Sequence, residues 1–357
     1  MFLETVDQFA GVAAAKAAFL RRSPLGFWIS AMMAGAYIGL GVILIFSVGN
    51  SVDAGIRPVV MGVSFGIALT LVIFAGSDLF NAHTMFMTFG WLRGRTAMRE
   101  VLTCWIGSWA GNLAGSFLLA AVFVAGGGGL ALAGKAPLIL NVAADKMNAP
   151  ALELVARAAL CNWLACLAVW SSARMTSDAA KCIAIFGCVY AFFASGFEHS
   201  VANMTLLSIA LLAPHPATVS LTGFGWNLLW VTLGNLLSGA GIMGLGYFIA
   251  AREPAVPAPR VGVHQRPRAE PQLAVSQGAA PRPPAFLSCE MGSPSTDGAQ
   301  PPPALPRIVG FDDYARLEGD AARRAGQSIG HRSEPQARRI GPLRLRGAAQ
   351  NFELNDA

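Results

Sequence analysis

Six stretches of the chain are apolar over the ~20 residues a helix needs to cross the hydrocarbon layer of a bilayer. They run approximately from Gly26 to Val48, Pro58 to Gly90, Glu100 to Gly126, Pro150 to Ser172, Ala179 to Ala213, and Gly225 to Ala251. The second and fifth are too long for one straight crossing and carry polar residues in the middle: "GSDLFNAHTM" at residues 76–85 and "ASGFEHSVANM" at 194–204. Ahead of them, "MFLETVDQFAGVAAAKAAFLRRSPLG" predicts an amphipathic surface helix. It begins with acidic residues and lacks a compact apolar core with a small-residue cleavage site, so it does not read as a signal peptide. The pattern predicts an all-α membrane protein of six transmembrane helices, with the second and fifth broken.

Halving the six spans exposes a repeat. Each half places its interrupted helix second, and spans three and six share Gly-Asn-Leu, at Gly111-Asn112-Leu113 and Gly234-Asn235-Leu236. Three spans per half make the halves enter the membrane from opposite sides, and paired broken helices in an inverted repeat point to a transport pathway near the midplane. Lys16, Arg21, Arg22, Arg93, Arg95, Arg99, Arg174 and Lys181 crowd one set of loops, against Arg57, Lys135 and Lys146 on the other. The positive-inside bias puts both termini in the cytoplasm. Irregular backbone at membrane depth is tolerated only in protein or beside a wet cavity, so the two breaks should face a pore. Helices restarting near Thr84 and near Ser200 would aim free N–H groups and positive dipole ends at the centre, a setting that favours an anion.

Composition sharpens this. Of 357 residues, 54% are hydrophobic and 13% charged, richer in apolar residues than soluble domains. The prolines and arginines concentrate after Arg252, which separates a membrane domain, residues 1–252, from a tail, 253–357, too polar and proline-rich to bury a core. The net charge of +6 is shared between the two parts; the tail's arginines are scattered with few aromatics and do not suggest nucleic-acid binding. Cys104, Cys161, Cys166, Cys182 and Cys188 lie in apolar runs, and with Cys289 they have neither CxxC nor His-paired spacing. They read as small hydrophobes, with no metal site. Neither a nucleophile–base pair nor a phosphate loop suggests an enzyme, and no cofactor is expected.

The sharpest candidate is His199, an imidazole at membrane depth that can donate a hydrogen bond or a proton to a passing anion. Glu198 beside it reads as a capping or packing residue. His83, in the first break, is an ambiguous pore candidate. Asn162, in "ALCNWLACLAVW", is compatible with interhelical hydrogen bonding or with pore lining. Lys146 reads as a loop lysine able to attract anions by its field. The Asn-Pro-Ala turns of an aquaporin-type neutral-solute channel are absent; the breaks read Asn81-Ala82-His83 and Ala202-Asn203-Met204.

Over residues 1–252, "SDLFNAHTM", "LCNWLACLAVW" and "ASGFEHSVANM" resemble the formate/nitrite transporter family, and "SPLGFWIS" and "NLLWVTLGNLLSGA" look closest to its bacterial nitrite channels. The resemblance implies an aquaporin-like fold, a homopentamer with one pore per protomer, and the bacterial inner membrane as location. It implies nitrite as substrate, with formate or another small anion as the alternative, and protons as partners in transport. By position, His199 matches the central pore histidine, Asn162 an asparagine hydrogen-bonded near it, Lys146 a vestibule lysine and Glu198 the adjacent glutamate. Leu69 and Phe192 match apolar constrictions. Thr84 falls in the flexible loop of span two, as do Leu79 and Phe80, and Asn81 stands where relatives commonly have threonine. On this reading Asn162 and Thr84 would orient His199.

Overall fold

The computed structural model describes residues 2–134 and 137–251. The tail inferred for 253–357, with Cys289, and Lys135 lie outside the described residues. Every long apolar stretch is helical. The first half contains α1 (Leu3–Arg22), α2 (Pro24–Gly49), α3 (Arg57–Ala75), α4 (Phe80–Leu92) and α5 (Met98–Ala125). The second contains α6 (Leu138–Met147), α7 (Ala151–Ala173), α8 (Asp178–Ala194), α9 (Ser200–Leu212) and α10 (Leu221–Leu236). Helix α10 continues through a wide π-helical stretch, Leu237–Leu245, into α11 (Gly246–Ala250).

Local chemistry sets many of the boundaries. Ser23, with Pro24 following, caps α2 through Gly26 N; Ser177 caps α8 through Ala180 N; Ser220 caps α10 through Gly223 N. A serine hydroxyl at the N-cap satisfies an N–H group that the first turn leaves unpaired, and proline is pre-organised for the first helical position. Among the described residues, five helices are long and apolar enough to cross a membrane: α2, α3, α5, α7 and the continuous Leu221–Ala250. The fifth apolar stretch of the sequence divides into α8 and α9, of 17 and 13 residues, each below that length. Ile106, Leu118 and Val122 of α5 and Ile183 of α8 are more than half exposed, as expected of faces solvated by lipid or by another apolar surface.

Small residues bring the long helices together. A Cβ at Gly35 or Gly115 would strike the backbone across the α2–α5 contact, at Asn112 and Met32. Gly234 sits just as tightly on the Val155 carbonyl across the α7–α10 contact. Close backbone approach through small residues is the usual way helices associate where hydrocarbon removes the hydrophobic drive. The amphipathic α1 lays Val6, Phe9, Ala10, Ala13 and Ala17 against the bundle and is pinned by Lys16–Asp78 (2.8 Å), Arg93–Asp7 (2.7 Å) and Arg21–Glu100. The opposite connection holds α6, a helix where the sequence suggested only a loop; its buried Ile139, Ala143 and Met147 face the bundle.

Candidate functional site

The site is built where the two long apolar stretches break. Each break turns on a glycine in the left-handed region, Gly76 at φ 71° and Gly196 at φ 70°, a conformation glycine adopts without strain. Leu79 and His199 follow in extended conformation, and helices restart at Phe80 and Ser200. Phe80 N donates to Asn112 Oδ1 at 2.9 Å, and Ser200 N donates to Asn235 Oδ1 at 2.9 Å. Asn112 Nδ2 reaches the carbonyls of Ala31 (2.7 Å) and Asp78 (2.9 Å); Asn235 Nδ2 reaches those of Ala158 (2.8 Å) and Glu198 (3.0 Å). Each break is therefore clamped by the asparagine of a Gly-Asn-Leu triplet, whose amide in each case bonds three backbone groups.

His199 stands at the N-cap of α9, where its Nδ1 accepts from Ala202 N at 3.2 Å. That bond puts the ring proton of the neutral imidazole on Nε2. Nε2 has no hydrogen-bond partner among the described residues, and it is not among the sealed, unpaired atoms. The histidine forms part of the wall of a cavity of about 360 Å³, together with Arg57, Lys146, Arg157, Glu198 and Phe192. Phe192 stacks on the imidazole at 5.9 Å between centroids. Glu198, only 2% exposed, pairs with Lys146 Nζ at 2.7 Å and accepts from Asn203 Nδ2 at 2.6 Å. Asn203 is held in turn by Asn227 Oδ1 (2.9 Å), and Asn227 donates to the Lys146 carbonyl (3.0 Å). A buried carboxylate is tolerable when so compensated.

Residues 3–249 match the formate/nitrite transporter family. The chain belongs to that family. Among its relatives is the nitrite transporter NirC of Escherichia coli (strain K12), 52% identical over 250 residues that make up 70% of this chain and 92% of NirC. Two solved structures are similar. An FNT family ion channel is 49% identical, with a TM-score of 0.68, over 70% of this chain and 99% of that one. A pentameric formate channel with formate bound is 26% identical, with a TM-score of 0.56, over 64% and 98%. As in other members of this transporter family, the chain is a multi-pass membrane protein.

The expected site residues fall into two groups. His199, Glu198, Lys146 and Phe192 meet at the cavity. Lys146 is not a free loop lysine: it stands in the last turn of α6 and neutralises Glu198. Asn162, Asn81 and Thr84 gather elsewhere. Asn162 Nδ2 donates to Asn235 O (2.7 Å) and Thr84 Oγ1 (3.1 Å), while Asn81 Nδ2 donates to Asn162 Oδ1 (3.2 Å) and Asn235 Oδ1 (3.0 Å). Neither Asn162 nor Thr84 bonds to His199, whose ring is oriented instead by its own helix. Thr84 is not in a loop either, because α4 starts at Phe80 and Thr84 donates to the Asn81 carbonyl within it at 2.6 Å. Leu69, Leu79, Phe80 and Phe192 share one buried apolar cluster; Leu79 caps α4 and Phe80 opens it.

Asn112, Asn235, Asp78 and Lys16 were not expected as site residues from the sequence. The shared Gly-Asn-Leu was the available signal for the asparagines. Asp78, fully buried, pairs with Lys16 Nζ at 2.8 Å and meets His83 Nε2 at 3.1 Å.

Proposed function

We propose that this chain is a nitrite channel of the bacterial inner membrane, in which His199 meets the anion and passage is linked to protons. The observation that carries the reading is His199, whose Nδ1 is occupied by backbone, whose Nε2 has no hydrogen-bond partner among the described residues, and which stands in the wall of a cavity that Lys146, Arg57 and Arg157 help to line. The similarity to NirC, a nitrite transporter, supports nitrite as the substrate. The matched contacts at the two breaks support six crossings, with α3–α4 and α8–α9 as the broken second and fifth, in an aquaporin-like inverted repeat. The basic residues around α1 support cytoplasmic termini, and the pentameric formate channel supports a homopentamer.

The anion enters the cavity, where Glu198 already neutralises Lys146 and His199, at the start of α9, stands in the wall. Phe192 of its wall belongs to the apolar cluster with Leu69, Leu79 and Phe80, the proposed constrictions. A bare anion there loses water without replacement, a cost of order several kcal/mol. A hydrogen bond from Nε2, or a proton from the protonated ring, offsets that loss by reducing the anion's charge in transit. Asn162, Asn81 and Thr84 serve the pore by holding the two breaks together rather than by touching the imidazole.

The test is nitrite and formate uptake by proteoliposomes across outside pH values, with His199→Phe in parallel. Nitrite flux above formate, rising as pH falls and losing its pH dependence in the variant, is the expected result. Unchanged flux in His199→Phe removes the role assigned to the histidine. The similarity to a formate channel sustains one second reading, a general small-anion pore, and equal flux of both anions selects it.

A further inference from the structure

One of the exchanges between the two breaks gives the first a titratable side chain where the second has an amide. Five positions after the acid in each stands its second partner: Asn203 donates to Glu198 Oε2 at 2.6 Å, and His83 Nε2 meets Asp78 Oδ1 at 3.1 Å. A lysine completes each cluster, Lys146 or Lys16. An amide does not take up a proton near neutral pH; an imidazole does. Ionised Asp78 only accepts, so Nε2 is the donor in the Asp78–His83 bond and Nδ1 keeps its lone pair. Nδ1 of His83 and Oδ2 of Asp78 are both buried and both without a hydrogen-bond partner. The cluster thus holds two acceptors with nothing to accept, which is unusual for buried polar groups.

We propose that Lys16–Asp78–His83 is a second proton-binding site, on the α1 side of the molecule, with His83 as the group that takes the proton. The groups facing the ring are few. Asp78 of the break favours its positive charge and Lys16 of α1 opposes it; α5 brings the Cys104 thiol, within electrostatic reach of both. Helix α2 contributes the Phe27 ring at 5.9 Å, and α4 itself Phe86 at 6.2 Å. Helix α7 brings to α4 the Cys166 thiol, which bonds at the Asn81 carbonyl. Protonation creates a donor at Nδ1 where the present arrangement has no acceptor, while Oδ2 of Asp78 stands without a donor. Taking up the proton therefore favours a turn of the ring or of the Asp78 carboxylate, and with it a shift of the Gly76–Leu79 break against α1.

The effect on flux rests on the channel reading above; proton binding does not. The variant is His83→Asn, which gives the inner break the side chain of the outer one, with His83→Gln as a second. The full chain, labelled with 15N-histidine and held in nanodiscs, is followed by NMR over about pH 5 to 8, the range in which imidazoles titrate. The expected result is a titrating ring signal absent from both variants. In proteoliposomes with inner and outer pH set separately, flux responds to pH on the α1 side in the parent and not in His83→Asn, while the response on the Lys146 side stays. A His83 ring that keeps one protonation state throughout overturns the proposal, as does an α1-side response retained in both variants. Absence of nitrite flux from the parent sinks the channel reading alone, and the NMR titration then decides the proton site.

Discussion

Asn235→Ala removes four hydrogen bonds from the centre of the molecule. Its Oδ1 accepts from Ser200 N (2.9 Å) and Asn81 Nδ2 (3.0 Å), and its Nδ2 donates to Ala158 O (2.8 Å) and Glu198 O (3.0 Å), all from a fully buried side chain. Hydrogen bonds between membrane helices average about 0.6 kcal/mol and those of soluble proteins about 1 kcal/mol, so the loss is about 2–4 kcal/mol. Asn112→Ala removes the bonds to Phe80 N, Ala31 O and Asp78 O and should cost about 2–3 kcal/mol on the same scale. Asn148, exposed, also donates twice, to Ala144 O and Thr218 O, but water can replace it, and Asn148→Ala should stay within about 0.5 kcal/mol. The assay is reversible unfolding in mixed micelles, scored beside nitrite flux. Asn235→Ala should be least stable and should lose flux, because the turn that carries His199 loses its clamp. An Asn235→Ala protein as stable as Asn148→Ala would refute the claim that this amide holds the second break.

Lys146→Met leaves Glu198 buried with Asn203 as its compensation and should destabilise by about 3–5 kcal/mol, whereas adding Glu198→Gln should restore much of that; the same unfolding measurement checks both. Gly239→Ala drives a Cβ into Thr84 Oγ1 and Asn162 Nδ2 and should cost about 1–3 kcal/mol, while Gly241→Ala, which meets open space, should be near neutral in unfolding and in flux.

The apolar spans and the positions of both breaks were legible because hydropathy and polar interruption are local signals. Ser200 was placed as the start of the second half-helix, and a local cap accompanies it, His199 bonding Ala202 N. The first half-helix was placed near Thr84 but begins at Phe80, four residues earlier. Its residue before the start, Leu79, has no side-chain cap, and the group that receives Phe80 N is Asn112, on another helix. Nothing within the segment announces the start. The same holds for the Lys146–Glu198 and Lys16–Asp78 pairs, each made across elements distant in sequence. Helix α6 was missed because ten residues are too few to register as a span, and its buried face is small.

The division between what the two breaks share and what they do not separates fold from function. They share the left-handed glycine, the extended residue before the restart, the clamping asparagine and the lysine-paired acid, and each of these satisfies backbone or charge that hydrocarbon would leave bare. Among their differences, Leu79 stands where the second break has His199, Asn81 where it has Val201, and His83 where it has Asn203. A purely structural repeat has no need of those exchanges, because the first restart forms without a side-chain cap of its own, Phe80 N being received by Asn112. The first exchange places an imidazole on the cavity, and the second ties the breaks together, since Asn81 Oδ1 accepts from Ser200 Oγ at 3.3 Å. The third leaves a titratable ring on the side where Asn203 has an amide. Two imidazoles, one in each break and each beside a lysine-paired acid, are what the two proposals together need for the proton conditions on the two faces of the membrane to be read by different residues.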